Sequence, residues 1–338
     1  MMITENEFVV NLDGYRITDC AIRNARVFNF VVENEIQADA AGVLSGHKIE
    51  RRVVPLFLDD PVDDRWGYTE LFGFEELYAG AVKQPLEQFI GVDAGGQVYV
   101  LGSGITEVES PIPKSQDGPR RGAVRRTRTI DAHLYVAGSD HTVCRRRGRN
   151  DWESLTLDLP LPTRAQFDNE RMSEDMAFDD IDGFSPDDLY VVGGRGVVWH
   201  CDGQRWRRIP FPSNMFLESV CCAGDGQVYI GAQSGTLFRG RGDRWQMLER
   251  GEMSLPFQDI VWHAGRLWCT SDYGLWTLDG EHLVKVDLPS EIAVCAGNLS
   301  AADGVMLMAG VYGAAFHDGE RWHHIFNHYQ MTQAVEGR

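Results

Sequence analysis

Any chemistry in this sequence would have to come from its acids. Asp179, Asp180 and Asp182 stand together, and in an extended segment two-residue alternation puts Asp180 and Asp182 on one face. Glu218, Asp259 and Glu291 occupy matching places in later segments. Carboxylates converging from such segments could ring a Ca²⁺ ion, which takes oxygen ligands. The plainer reading is that they are satisfied by turn amides and solvent, and no metal ligand or cofactor is assigned. Arg145, Arg146, Arg147 and Arg149 offer an anion-accepting patch or, more simply, partners for nearby acids. Residues 119–149 hold nine Arg and residues 151–188 hold twelve acids, so neighbouring units can neutralise each other. GxSxG, HExxH, Walker A and paired-glycine dinucleotide loops do not occur, and no catalytic constellation can be assembled.

Composition narrows the partners. The 338 residues carry a formal net charge of −18, which argues against general nucleic-acid or anionic-membrane binding and suits a basic protein partner. No apolar run approaches the length of a membrane span, and the acidic start lacks the basic region of a signal peptide. The seven cysteines are odd in number and include no CxxC pair, which reads as reduced, buried thiols in a cytoplasmic protein.

The elements that position these residues repeat. Gly196, Gly235, Gly274 and Gly313 are spaced 39 residues apart, each preceded by a short apolar strand such as Leu189-Tyr190-Val191-Val192. After each comes another strand and then a turn of the form Asp202-Gly203-Gln204-Arg205-Trp206, repeated at Gly242 to Trp245, Asp279 to Leu283 and Asp318 to Trp322. Upstream the same column runs through Tyr135 and Tyr99, so it reads 99, 135, 190, 229, 268, 307. Inner strands are expected at Ser219 to Cys222, Asp259 to Trp262 and Ile292 to Cys295. A four-stranded sheet of about 40 residues cannot bury both faces alone, so copies must pack round an axis. The expected fold is all-β, a β-propeller of four-stranded antiparallel blades. Seven blades are expected, with six plus an N-terminal extension as the alternative. Residues 1–85 form a degenerate blade or extension and residues 86–338 six recognisable blades, within a single domain overall. The glycines supply positive φ in the hairpin joining strands two and three, and the Trp column packs between sheets. The last unit contains all its own strands, so closure needs no exchanged strand.

With this pattern the chain resembles the bacterial β-propeller repeats of the WD40- and YVTN-like superfamily over about residues 86–328, carried by phrases such as Ile181-Asp182-Gly183-Phe184-Ser185-Pro186-Asp187-Asp188-Leu189-Tyr190-Val191-Val192-Gly193. The likeness is architectural. The WD dipeptide and GH signature are absent, and Ser271 to Trp276 only echoes an Asp-box, one residue short and without its Thr.

Departures from the period mark a face, because loops after strands two and four share one side of a propeller. The interval from Tyr135 to Tyr190 is 16 residues over the 39-residue standard, with the excess at Pro160 to Asp175. This loop rises beside the hairpin tips Asp140, Arg195, Ser234, Tyr273 and Tyr312, and brings Phe167 and Asp168. These seven residues are the expected partner-binding set, with no catalytic residues. The expectation is a non-catalytic propeller that binds another protein, in its most specific form an immunity protein neutralising a cognate, basic toxin. The alternative is a metal-dependent hydrolase or lyase with its site in the central channel.

Overall fold

The computed structural model describes residues 1–41, 46–161, 163, 165, 168 and 174–337. Among these, twenty-eight strands form seven four-stranded antiparallel sheets, each built from four consecutive strands. The innermost strands are Tyr15–Asn24, Leu77–Val82, Val124–Ile130, Asp180–Ser185, Leu217–Cys222, Asp259–His263 and Asn298–Ala302, heading blades one to seven. Each packs on the inner strands of its neighbours round a central channel, and blade seven meets blade one. The seven-blade count is therefore observed rather than six.

Local chemistry explains the regular blades. Gly196, Gly235, Gly274 and Gly313 all take positive φ, from +68° to +150°, in the turns between second and third strands. A Cβ on Gly196 would stand 2.0 Å from the Ser213 carbonyl oxygen, so this tip admits no side chain. In the turns between third and fourth strands, Asp202 Oδ1 accepts from the amides of Gln204 and Arg205, and Asp318 Oδ1 from those of Glu320 and Arg321. The closing aromatics then pack between sheets. Trp206 is 8 % exposed and donates from Nε1 to the Leu155 carbonyl of blade three at 2.7 Å. Trp322 meets Trp268 of blade six edge-on at 6.2 Å.

Three expectations about individual strands are corrected. Tyr99 lies on the third strand of blade two, Val98–Gly102, because Gln88–Asp93 forms the second. Both are short apolar runs flanked by glycine, so spacing alone misassigned the column. Ile292 to Cys295 is not an inner strand. Ser290–Ala293 is a single helical turn in which Ala293 N bonds Pro289 O, and Ile292 and Cys295 are buried together at helical spacing. The inner strand of blade seven is instead Asn298–Ala302, a run of small residues without a strand signature of its own. Residues 1–85, expected as a degenerate blade or extension, hold the complete four-stranded blade one from Tyr15 and the opening strand of blade two from Leu77. Gly42 and its neighbours to Ser45 lie outside the described residues.

Closure uses no exchanged strand, as expected, but both termini reinforce the seam between blades seven and one. Met2 N bonds Ile325 O on the outer strand of blade seven, and Trp66 of blade one donates to Met2 O. Helix Glu5–Asn11 starts with a capping box at Thr4 and Glu7 and buries Phe8 completely. Phe8 packs edge-on against His328, the first residue of the C-terminal helix His328–Glu336, with centroids 5.1 Å apart. Phe8→Ala should therefore lower unfolding stability by about 3–5 kcal/mol in urea titrations followed by circular dichroism.

Candidate protein-binding face

The channel is occupied by charge that is already matched. Arg126 and Arg128 reach inward from blade three, and alternation places both on the same side of their strand. Arg128 donates from one terminal nitrogen to Asp180 of blade four at 2.8 and 3.0 Å. Arg126 lies 3.4 Å from Asp180 and 3.3 Å from Asp259 of blade six. Asp180 is fully buried and Asp259 is 2 % exposed. The same carboxylates also hold backbone. Asp180 Oδ2 accepts from Val220 N at 2.9 Å, Asp182 Oδ2 from Cys222 N at 2.7 Å, and Asp259 Oδ2 from Leu299 N at 2.9 Å. Asp19 does likewise for Ala79 N at 2.7 Å.

A carboxylate ring for a divalent ion is thus not what these residues build. Two guanidinium groups stand among the carboxylates, and Glu291 is exposed on the turn Ser290–Ala293 instead of facing the axis. No grouping of three or more His, Cys, Asp or Glu that could hold a metal occurs among the described residues. His323 bonds Asp318 at 2.5 Å on the outer strand of blade seven, and His328 lies beside Phe8, far from the channel strands. The arginine patch is also spoken for. Arg145 and Arg147 pair with Glu153, Arg146 with Glu109 at 2.7 Å, and Arg149 with Glu107 at 2.6 Å.

Arg126 divides the channel. Toward the second-to-third-strand tips it floors a cavity of about 650 Å³, and toward the opposite face one of about 200 Å³. The larger cavity is a funnel walled by Glu76, Arg125, Asp179, Glu218, Leu255 and Asp272, with Asp19 and Arg126 also lining it. Arg125 is ion-paired with Asp179. Among the described residues Glu218 and Asp272 accept no hydrogen bond and join no ion pair. Burial raises the Glu218 carboxyl above its ordinary range, with Asp179 adding to the rise and Arg125 and Arg126 opposing it.

The tip residues surround this funnel on successive blades. Asp140 and Arg195 are half-buried, with residues 174–176 packed beside them. His141 N bonds Met176 O, Arg195 N bonds Asp175 Oδ1, and the Arg195 guanidinium stands 4.9 Å over the Phe216 ring. Ser234 has φ +62°, and its carbonyl accepts from Met253 N, a backbone duty that leaves its side chain partly covered. Tyr273 and Tyr312 are the open positions, 51 % and 64 % exposed, with Tyr273 bonded to Ser254 at 2.8 Å. Asp168 is exposed, and Phe167 lies outside the described residues. Sequence reasoning missed Glu76, Leu255 and Asp272 at the funnel mouth. Only their place just before an inner strand or at a hairpin tip could have pointed to them.

These features define a seven-bladed β-propeller with a charge-filled axis and an open loop face. Its likeness to solved structures is one of fold. The WD40 β-propeller domain of Doa1 superposes with a TM-score of 0.56 at 11 % identity, over 88 % of this chain and 90 % of that one. PorZ, a surface component of the type-IX secretion system of Porphyromonas gingivalis, also gives 0.56 at 10 % identity, over 92 % of this chain and 38 % of that one. No protein-family model matches the sequence. The immune protein Tsi7 of Pseudomonas aeruginosa is 34 % identical over 254 residues, 75 % of this chain and 80 % of that protein. The chain belongs to the family of that immune protein.

Two stability predictions follow from the channel. Arg128→Met leaves the buried Asp180 without its bidentate partner and should cost about 3–5 kcal/mol at neutral pH in denaturant titrations. Burial pushes the Asp19 carboxyl up to about 7, against the opposing pull of the Ala79 amide and of Arg126. The folded protein then binds this proton more tightly than the unfolded chain, so Asp19 favours folding increasingly as pH falls from about 7 toward its ordinary 3.8. Asp19→Asn keeps an acceptor for Ala79 N and removes the titration. It should be the more stable form at pH 8, with the advantage over wild type gone by pH 4.

Proposed function

We propose that the chain is an immunity protein that neutralises a cognate toxin by binding it, with no chemical step of its own. The observation that carries this reading is its relation to the immune protein Tsi7 over most of both chains. The geometry supports it from another side. The channel carboxylates are committed to backbone amides and arginines, whereas the face carrying Asp140, Arg195, Ser234, Tyr273 and Tyr312 presents side chains on a rigid ring. Phe167 and Asp168 belong to the same proposed contact set by their place in the connection between blades three and four.

The partner is proposed to be basic where it touches this face. A net charge of −18 would steer a cationic protein into encounter and speed association, mostly at low salt. A reducing compartment suits the seven unpaired cysteines, six of them buried, and the reading places binding in the cytoplasm. No helix among the described residues is long and apolar enough to cross a membrane.

The test is protection. Co-expression with the toxin encoded beside this protein's gene should restore growth, and the two purified proteins should elute as a 1:1 complex. Replacing Tyr273 and Tyr312 together by Ala should raise Kd by about tenfold or more in calorimetry, as expected for exposed aromatic anchors. Continued growth arrest with no complex would reject the reading.

A further inference from the structure

Exposed apolar side chains follow one arc of the funnel face. Leu255 (38 % exposed) lies between blades five and six, Tyr273 (51 %) on blade six, and Val294 (39 %) between blades six and seven. Tyr312 (64 %) tips blade seven, Tyr329 (65 %) opens the C-terminal helix, and Ile36 (79 %) stands on helix Glu35–Ala40 above blade one. The arc crosses the closing seam, where His328 N bonds Tyr312 O. On the opposite face, among the described residues, Val62, Tyr68 and Leu86 are the exposed large apolar side chains in the connections, and Tyr68 is covered by the Arg52 guanidinium at 4.3 Å. Apolar anchors grouped on one side of a ring mark an interaction surface, since scattered single residues need no explanation.

Charge names the occupant. Inside the arc the funnel mouth carries Glu76, Glu218 and Asp272, and among the described residues the last two make no hydrogen bond or ion pair, although Arg125 and Arg126 lie near Glu218. The cations that line the funnel are matched, Arg125 by Asp179 and Arg126 by Asp180 and Asp259. The space, about 650 Å³, admits a long side chain. We propose that the occupant is a protein that lays an apolar surface along the arc from blade five to blade one and sends a lysine or arginine side chain into the funnel. This rests on the toxin-binding reading and describes the contact surface of that toxin. Because the arc bridges blade seven, the C-terminal helix and blade one, the docked protein also clamps the ring at its seam.

Four measurements separate this surface from the functional reading beneath it. With the toxin identified by the protection assay, Leu255→Ala with Tyr329→Ala should raise Kd at least tenfold, whereas Val62→Ala with Leu86→Ala leaves it unchanged. Glu218→Gln with Asp272→Asn should slow association severalfold and flatten its salt dependence while dissociation changes less. Toxin binding should also slow amide exchange in residues 328–336. Independently of any toxin, an acetylated tri-lysine amide should shift the NMR signals of the funnel residues at low salt in wild type but not in the Glu218→Gln, Asp272→Asn variant. Loss of affinity in the opposite-face variant, with the arc variant unaffected, would overturn the surface while leaving the immunity reading intact. Tri-lysine shifts that are absent in wild type or persist in the variant would overturn the funnel. A wild-type chain that neither protects nor binds would reject the immunity reading, and the peptide result would then decide the funnel alone.

Discussion

The innermost strand of every blade has a free backbone edge, and the fold depends on how that edge is satisfied. A four-stranded sheet ends there with amides and carbonyls that no fifth strand meets, in a narrow space where unmade hydrogen bonds are costly. Side chains from the adjoining blade supply the partners at seam after seam. Asp19 serves blade two, while Thr127 and Thr129 join blade three to it. Arg128 reaches the Ile181 carbonyl, and Asp180 and Asp182 serve blade five. Ser219 bonds Phe257 O, Asp259 serves blade seven, and Ser300 accepts from Ile22 N to close the ring. Most of these are short side chains, which reach the next strand and lose little conformational freedom when fixed there.

Using aspartate for this purpose concentrates negative charge on the axis. Burial, against the pull of nearby arginines and amides, pushes Asp19 and Asp182 up, to about 7 and about 6. Arg126 and Arg128 answer that charge by crossing the channel from one blade to two others. Removing either side of such a buried arrangement strands the other, which makes the cluster a constraint on the fold more than a source of stability. The axial carboxylates Asp19, Asp180, Asp182 and Asp259 are thereby committed to backbone amides and guanidinium groups. At the rim the ring holds loops rigidly and their residues are free to differ.

The two rims are built differently. One is mostly tight turns between consecutive strands, with Asp carboxylates bonded to their own amides, as at Asp202 and Asp318. The other carries the longer connections, the helix Glu35–Ala40 and the start of the C-terminal helix. The terminal segments meet where blade seven joins blade one, so the join that both termini reinforce lies beside several of the exposed apolar side chains of that face. A partner seated there acts on both.

Much of the architecture was legible in the residues. The 39-residue spacing of Gly196, Gly235, Gly274 and Gly313 and the Asp-Gly turns before Trp206 and Trp322 announced the blades, because turn conformations are imposed by short-range sterics. The strands that were misplaced, at Tyr99, at Ile292 to Cys295 and in blade one, are those whose identity rests on neighbours. Apolar alternation cannot say which edge a strand will pair with, and Asn298–Ala302 is a strand only because Val305–Gly310 pairs with it. The tips Tyr273 and Tyr312 could be named from their place in the repeat, but that Asp140, Arg195 and Ser234 are partly covered could not. The sequence by itself determined the repeat, the turns and the excess of negative charge, all of which follow from residue types and local geometry. Tertiary structure alone decided that Asp180 and Asp259 meet Arg126 and Arg128, and that Glu218, Leu255 and Asp272 share one funnel. Those meetings join residues tens to more than a hundred positions apart, and ring closure is what brings them together.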